Sequence, residues 1–168
     1  DDPYLLMDEG LEAPFGAVDR FAIELGVAGD DPRRIEAGIL FELHYNLSAG
    51  HSFLPEEKLT AATAQLLSVE MEAVGQGMQR LLEADRLVRD RLAGITVIYL
   101  PQLHEAETEC ARRLLNFAAS RFPAPHGLDA KVRRVAQNSG IAYSAQQEQA
   151  IRQAATSGLL LVTGGPGT

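Results

Sequence analysis

The chain has 168 residues, 46% of them apolar and 23% charged, with 15 glycines and 8 prolines. That is the profile of an ordinary globular protein and excludes disordered and collagen-like architectures. No apolar stretch approaches the ~20 residues of a membrane span, and the opening DDPYLLMDE lacks the basic and apolar regions of a signal peptide, so no membrane association and a cytoplasmic location are expected. The single cysteine, Cys110, has no partner for an internal disulfide and no CxxC companion, which excludes a stapled secreted scaffold and a zinc ribbon. The formal net charge is −8 and is unevenly placed. Residues 1–60 hold 4 Lys/Arg against 13 Asp/Glu, residues 61–100 hold 4 against 5, and residues 101–168 hold 7 against 5. Acidic surface repels phosphates, so the front of the chain is a poor candidate for tight nucleic-acid binding. The chain begins without Met and ends at GGPGT, and reads as an internal piece of a larger protein.

Asp2 and Pro3 signal a short helix over residues 2–9, interrupted by Gly10 to Phe15. Val18, Phe21, Ala22 and Leu25 form one stripe of a second helix that Gly26 is placed to end. Asp31 and Pro32 open a helix of about 17 residues in which Ile35, Ile39, Leu43 and Leu47 recur, up to Gly50. Pro55, Glu56 and Glu57 suit the first turn of a helix running to about Leu67. A further helix is predicted from about Glu70 to Glu83, although Gly75 and Gly77 each cost it roughly 1 kcal/mol against Ala. The period then changes: LVRD and ITVIYL, joined by RLAG, read as a β-hairpin, closed by Pro101. HSFL is available as a short earlier strand. Helices before a two-stranded ribbon are the order of a winged helix. Residues 102–121 are strongly helical in period, FPAPHG reads as a linker, and helices follow at about 128–138 and 145–156. The apolar run LLLVT reads as a strand buried on both faces of a parallel sheet.

That strand runs into a glycine-rich loop. Gly164, Gly165, Pro166, Gly167 and Thr168 match the first five positions of GxxxxGK[ST], in which glycines let backbone N–H groups converge on phosphates. A simple turn is the alternative. About 15 residues earlier, Ser144 and Gln147 form S-x-x-Q, which is either a capping box or a place where an amide that both donates and accepts reads an adenine edge.

The segment IAYSAQQEQAIRQAATSGLLLVTGGPGT resembles the start of the motor domain of RecD-like helicases, where a Q-motif glutamine precedes a strand and a GGPGTGKT loop. DPYLLMDEG, the helix start near Phe15 to Asp19, ELGV, DPRRIEAGILFEL and GHSFLP resemble, in order, the accessory region of the longer members of that family. The resemblance implies a mainly α fold: a helix-hairpin-helix-like region over 1–50, a winged-helix-like region with a β-hairpin wing over 51–100, connecting helices and a linker over 101–140, and over 141–168 the first helix, strand and partial P-loop of a RecA-like α/β motor. It implies that Gln147 contacts adenine, that Gly164 to Thr168 begin a triphosphate cradle, and that the whole enzyme uses ATP and Mg²⁺ to move 5′-to-3′ on single-stranded or tailed duplex DNA. No catalytic residue falls within the chain, and the segment alone is expected to be inactive.

In one respect the chain departs from that pattern. A helix-hairpin-helix meets phosphate through a Gly-hydrophobic-Gly turn, whereas this chain has Gly10, Leu11, Glu12, Ala13, Pro14 and Phe15. Proline removes an amide and glutamate adds repulsion, which favours a scaffolding role there and leaves room for a protein partner on the acidic front. Arg86, Arg89 and Arg91 cluster on the expected ribbon and read either as DNA-phosphate contacts or as a solvated basic edge. His44 and His51 lie seven apart with Glu42 nearby, but His104, His126 and Cys110 are scattered at no metal-ligand spacing, so no metal site is expected, and Cys110 reads as a small buried hydrophobe. Two rival readings remain: an acidic helical protein-interaction module in which GGPGT is a linker, and another P-loop ATPase with an unrelated front.

Overall fold

A computed structural model describes residues 2–7 and 13–165. The chain divides into two compact units, residues 1–106 and 107–168.

In the first unit a 3₁₀ turn spans Pro3–Met7, where an α-helix over 2–9 was expected; the Asp2 carboxylate accepts from the Tyr4 amide at 3.0 Å. Helix α1 (Phe15–Glu24) follows Pro14 and buries Phe15, Val18 and Ala22, and Gly26 ends it at φ +91°, where a Cβ would be strained. Helix α2 (Pro32–Leu47) starts as its sequence dictates, with Pro32 in the first turn and the Asp31 side chain accepting from the Arg33 amide at 2.9 Å. Strand β1 (Phe53–Pro55), α3 (Glu56–Leu67) and α4 (Met71–Glu83) come next. Strands β2 (Val88–Leu92) and β3 (Ile95–Tyr99) then form the expected hairpin. Its loop is the two residues Ala93 and Gly94, at φ 49° and 85°, the paired positive values that a tight hairpin matched to strand twist requires. HSFL does supply a strand: β1 pairs antiparallel with β3, giving the order β1-β3-β2.

Helices α2, α3 and α4 close on one another over a core that includes Ile35, Ile39, Leu59, Val74, Met78 and Leu81, with Ile98 contributed by the sheet. Gly77, a weak point of α4 on propensity alone, is where α2 comes nearest. A Cβ built on Gly77 would stand 2.6 Å from Ile35 Cγ2, whereas one on Gly75 meets nothing within 4 Å. Both alanine substitutions gain the same helix propensity, so they should differ by the steric term alone, about 1–3 kcal/mol. Gly75→Ala is expected to stabilise by about 1 kcal/mol and Gly77→Ala to fall below it, as read from urea midpoints of the two variants. Equal midpoints would mean that Ile35 yields freely.

In the second unit lie the later part of α5 (Pro101–Ala119), α6 (Leu128–Ser139) and α7 (Ala145–Ala154). The chain after α7 returns to the end of α5: the Phe122 amide donates to the Thr156 carbonyl at 2.8 Å and the Gly158 amide to the Ser120 carbonyl at 3.2 Å. Gly158 is required there, because a Cβ would lie 2.5 Å from the Phe117 carbonyl oxygen.

Two expectations are corrected in this unit. LLLVT is not a buried strand: residues 159–163 are irregular, with Leu161 84% and Val162 73% exposed. A strand needs a neighbour to receive its backbone hydrogen bonds, and all three strands of the sheet lie in the first unit. Cys110 is exposed, not buried, since α5 buries none of its side chains among the described residues. No helix among the described residues is long and apolar enough to cross a membrane.

Candidate functional site

The nucleotide candidates stand at and beyond α7. Ser144 is the N-cap: its side chain accepts from the Gln147 amide at 3.3 Å, while Gln147 Oε1 accepts from the Ser144 amide at 2.9 Å. The capping box is therefore complete, and it satisfies two orphan donors of the helix start. It also fixes the orientation of the Gln147 amide. The exposed Nε2 group has no hydrogen-bond acceptor among the described residues, and Oε1 retains a second lone pair. One capped glutamine can thus hold the helix and still present a donor–acceptor edge outward. Gly164 and Gly165 follow in irregular, exposed chain, and no helix start lies beside them among the described residues. Pro166, Gly167 and Thr168 lie outside the described residues.

The three ribbon arginines are not equivalent. Arg89 and Arg91 alternate onto one face of β2, opposite Ile98 and Thr96 of β3. Arg89 pairs with Glu56 at the start of α3 at 2.8 Å, and Arg91 Nε reaches the Gly94 carbonyl at 3.4 Å. Arg86 precedes the strand, is exposed, and has no acidic partner among the described residues. Asp90 points to the other face and accepts from His104 of α5 at 3.0 Å, and this hydrogen bond holds its carboxyl below the ordinary value. His104 in turn meets the Tyr99 ring edge-on at 5.0 Å. Of the hairpin at Gly10 to Phe15, residues 10–12 lie outside the described residues; Ala13 donates its amide to the Leu6 carbonyl at 3.1 Å, and Pro14 caps α1.

The sequence did not single out the most connected polar group of the first unit. Arg34, almost fully buried, donates through Nε and Nη2 to the two oxygens of Asp19 at 2.8 and 2.9 Å. Its Nη1 donates to the carbonyls of Gly29 at 2.7 Å and Leu67 at 3.0 Å. Tyr4 completes the set, its hydroxyl donating to Asp19 Oδ1 at 2.8 Å. Burial pushes the Asp19 carboxyl up, but the hydrogen bonds from Arg34 and Tyr4 outweigh it and the net shift is downward. The Tyr4 hydroxyl is driven well above its ordinary value, by burial first and then by its bond to Asp19. One charge pair therefore ties the Pro3–Met7 turn, α1, α2 and the end of α3 together. A signal was present: Asp19 interrupts the apolar stripe of α1, and Arg34 immediately precedes the core residue Ile35.

Residues 1–53 match the family model described as the ATP-dependent RecD2 DNA helicase HHH domain. Over 153 residues, 85% of this chain, the sequence is 29% identical to the ATP-dependent RecD2 DNA helicase of Deinococcus radiodurans. The matched part is 21% of that protein, so the chain spans about a fifth of the length of this relative. The likeness to RecD-like helicases expected from the sequence is therefore borne out, and it includes a match of the first 53 residues to the helix-hairpin-helix domain model of that family.

Proposed function

We propose that the chain is a segment of an ATP-dependent DNA helicase that moves 5′-to-3′ on single-stranded DNA, with ATP and Mg²⁺ as its cofactors. The carrying observation is the extent of the likeness: it runs through 85% of the chain, so it takes in more than the matched front alone. Under this reading residues 51–100 are a winged helix. The order α2-β1-α3-α4-β2-β3, with a sheet ordered β1-β3-β2, supports it. The helix just before the ribbon, α4, exposes Glu72, Gln76, Gln79 and Glu83, an acidic face unsuited to phosphate. DNA contact in this region therefore falls to the wing, through Arg86 and Arg91, with Arg89 shared with Glu56.

Residues 141–168 begin the motor. Gln147 reads the adenine edge from its place in the capping box, and Gly164, Gly165, Pro166, Gly167 and Thr168 start the phosphate cradle. When bound, Mg²⁺ would offset the charge of the β and γ phosphates. No lysine or acidic metal ligand of such a site is among these residues, so the segment alone should not turn over ATP.

The acidic front, with 13 Asp/Glu in residues 1–60, favours scaffolding or a protein contact over DNA binding there. In the complete protein, a duplex with a 5′ single-stranded tail should be unwound in the presence of ATP and Mg²⁺, and the same duplex with a 3′ tail should not. Equal unwinding of both would remove the direction, and unwinding of neither would remove the helicase reading.

A further inference from the structure

We propose that the face of α6 carrying Lys131 and Arg134, flanked by Arg133, is a contact surface for the sugar-phosphate backbone of single-stranded DNA. This surface presupposes the DNA-helicase reading and lies outside both the ribbon and the nucleotide loop.

Most of the charge of the second unit is already spent. Residues 107–168 hold 7 Lys/Arg against 4 Asp/Glu. Glu109 is held by Arg112 at 2.7 Å and Arg113 at 2.6 Å, and Arg152 takes both Asp129 at 2.8 Å and Glu148 at 2.9 Å. Arg121 turns back onto the carbonyls of Ala118 and Ser120. What remains is concentrated on α6. Lys131, Arg133 and Arg134 stand within one turn, all exposed, and none of their side chains makes an ion pair or hydrogen bond among the described residues. Arg133 adds only its field to Asp129, which Arg152 already holds.

The one acid of α6, Asp129, is turned to α7 by Arg152, and Val132 is the buried contact of the helix. Lys131, Arg134 and Asn138 recur at i, i+3 and i+7, so they share one face. At 1.5 Å per residue that face is about 10 Å long, enough to meet more than one phosphate. Cations without local partners keep their full field, and a polyanion with condensed counterions gains most from them. The other described residues offer no equal concentration: on the ribbon Arg86 is exposed and without an acidic partner, but its neighbours Arg89 and Arg91 are engaged by Glu56 and the Gly94 carbonyl, and Arg20 and Lys58, also exposed and unpaired among the described residues, lie far apart in sequence on the acidic front.

The test measures binding of a fluorescent oligo-dT strand to the complete protein over a range of salt concentrations. It compares the unaltered protein, Lys131→Ala/Arg134→Ala, and Arg20→Ala/Lys58→Ala, which removes the same charge elsewhere. The α6 variant should bind more weakly, with the slope of log K against log salt shallower by about 0.7 for each phosphate that the missing cations would have neutralised. The control should keep its slope, and both should keep the helical circular dichroism of the unaltered protein. Equal slopes for the α6 variant and the unaltered protein would overturn the surface alone. A fall matched by the control would assign the effect to net charge and overturn it too. No affinity of the unaltered protein for oligo-dT would instead remove the DNA reading that the surface presupposes. Undiminished DNA binding by the α6 variant, with its binding to a polyglutamate peptide abolished, would transfer the face to an acidic protein segment.

Discussion

Replacing Arg34 with methionine is expected to destabilise the first unit by about 3–5 kcal/mol, the range for removing one partner of a buried ion pair. The side chains of Arg34 and Asp19 are only 8% and 14% exposed, so little water is at hand to take over. The loss leaves the Asp19 carboxylate buried without its counter-charge and frees the carbonyls of Gly29 and Leu67, which now accept from Nη1. Asp19→Leu should cost a comparable amount, because it strands a buried guanidinium. The double variant Arg34→Met/Asp19→Leu should lose less than the two singles summed, since each single already forfeits the shared interaction.

The pH dependence follows from the same group. Asp19 has its carboxyl lowered in the fold, so its contribution is complete above the ordinary carboxylate value and is lost as pH falls through the lowered one. Tyr4 has its hydroxyl raised, so its contribution is complete below the ordinary phenol value and is lost as pH rises through the raised one. In Arg34→Met the share of the acid limb that Asp19 supplies should be lost, because burial, which raises the carboxyl, is no longer outweighed by the hydrogen bonds and charge of Arg34. Urea melts followed by circular dichroism read all three variants. A loss below about 1 kcal/mol for Arg34→Met would place this pair with ordinary surface salt bridges.

In the complete protein, Gln147→Glu should raise the KM for ATP by very roughly 5-fold to 150-fold while leaving stability unchanged. That range corresponds to the roughly 1–3 kcal/mol typically lost with one base edge. The capping box uses only part of what the side chain offers. Gln147 spends Oε1 on the Ser144 amide and its own backbone N–H on Ser144 Oγ. Glutamate can do both and also suits the positive end of the α7 dipole, but it has no donor for the adenine N7 that Nε2 would reach. Gln147→Ala should show both losses, the KM effect and about 1 kcal/mol of stability. Triphosphates whose base lacks that edge should be affected much less. An unchanged KM for Gln147→Glu, with unchanged stability, would reduce Gln147 to a helix cap.

Local chemistry made most of the first unit legible. Asp31 and Pro32 open α2, the hairpin closes on Ala93 and Gly94, and, in the second unit, Ser144 with Gln147 starts α7, each through contacts a few residues apart. What escaped the sequence is long-range. Tyr4 and Asp19 are 15 residues apart, and Arg34 reaches a carbonyl 33 residues away, separations that no period encodes. Gly77 looked like a defect of α4 because its value lies in the approach of Ile35 from α2. LLLVT shows the opposite failure: its apolar run favours a buried strand, but that state depends on neighbouring strands to receive its hydrogen bonds, and among the described residues it has none. The site is legible by halves. The Gln147 cap is in place, the ribbon arginines divide between Glu56, Gly94 and solvent, and the cations of α6 emerged only once the other arginines had been paired off.

The most direct measurement of the helicase reading is the steady-state rate of ATP hydrolysis by the complete protein with and without single-stranded DNA. An ATPase coupled to movement along a strand should hydrolyse ATP slowly alone and markedly faster with saturating oligo-dT, and lose that stimulation when Mg²⁺ is chelated. A rate indifferent to DNA would contradict the coupling, and no ATP turnover under any of these conditions would leave the acidic helical interaction module as the better account of the chain.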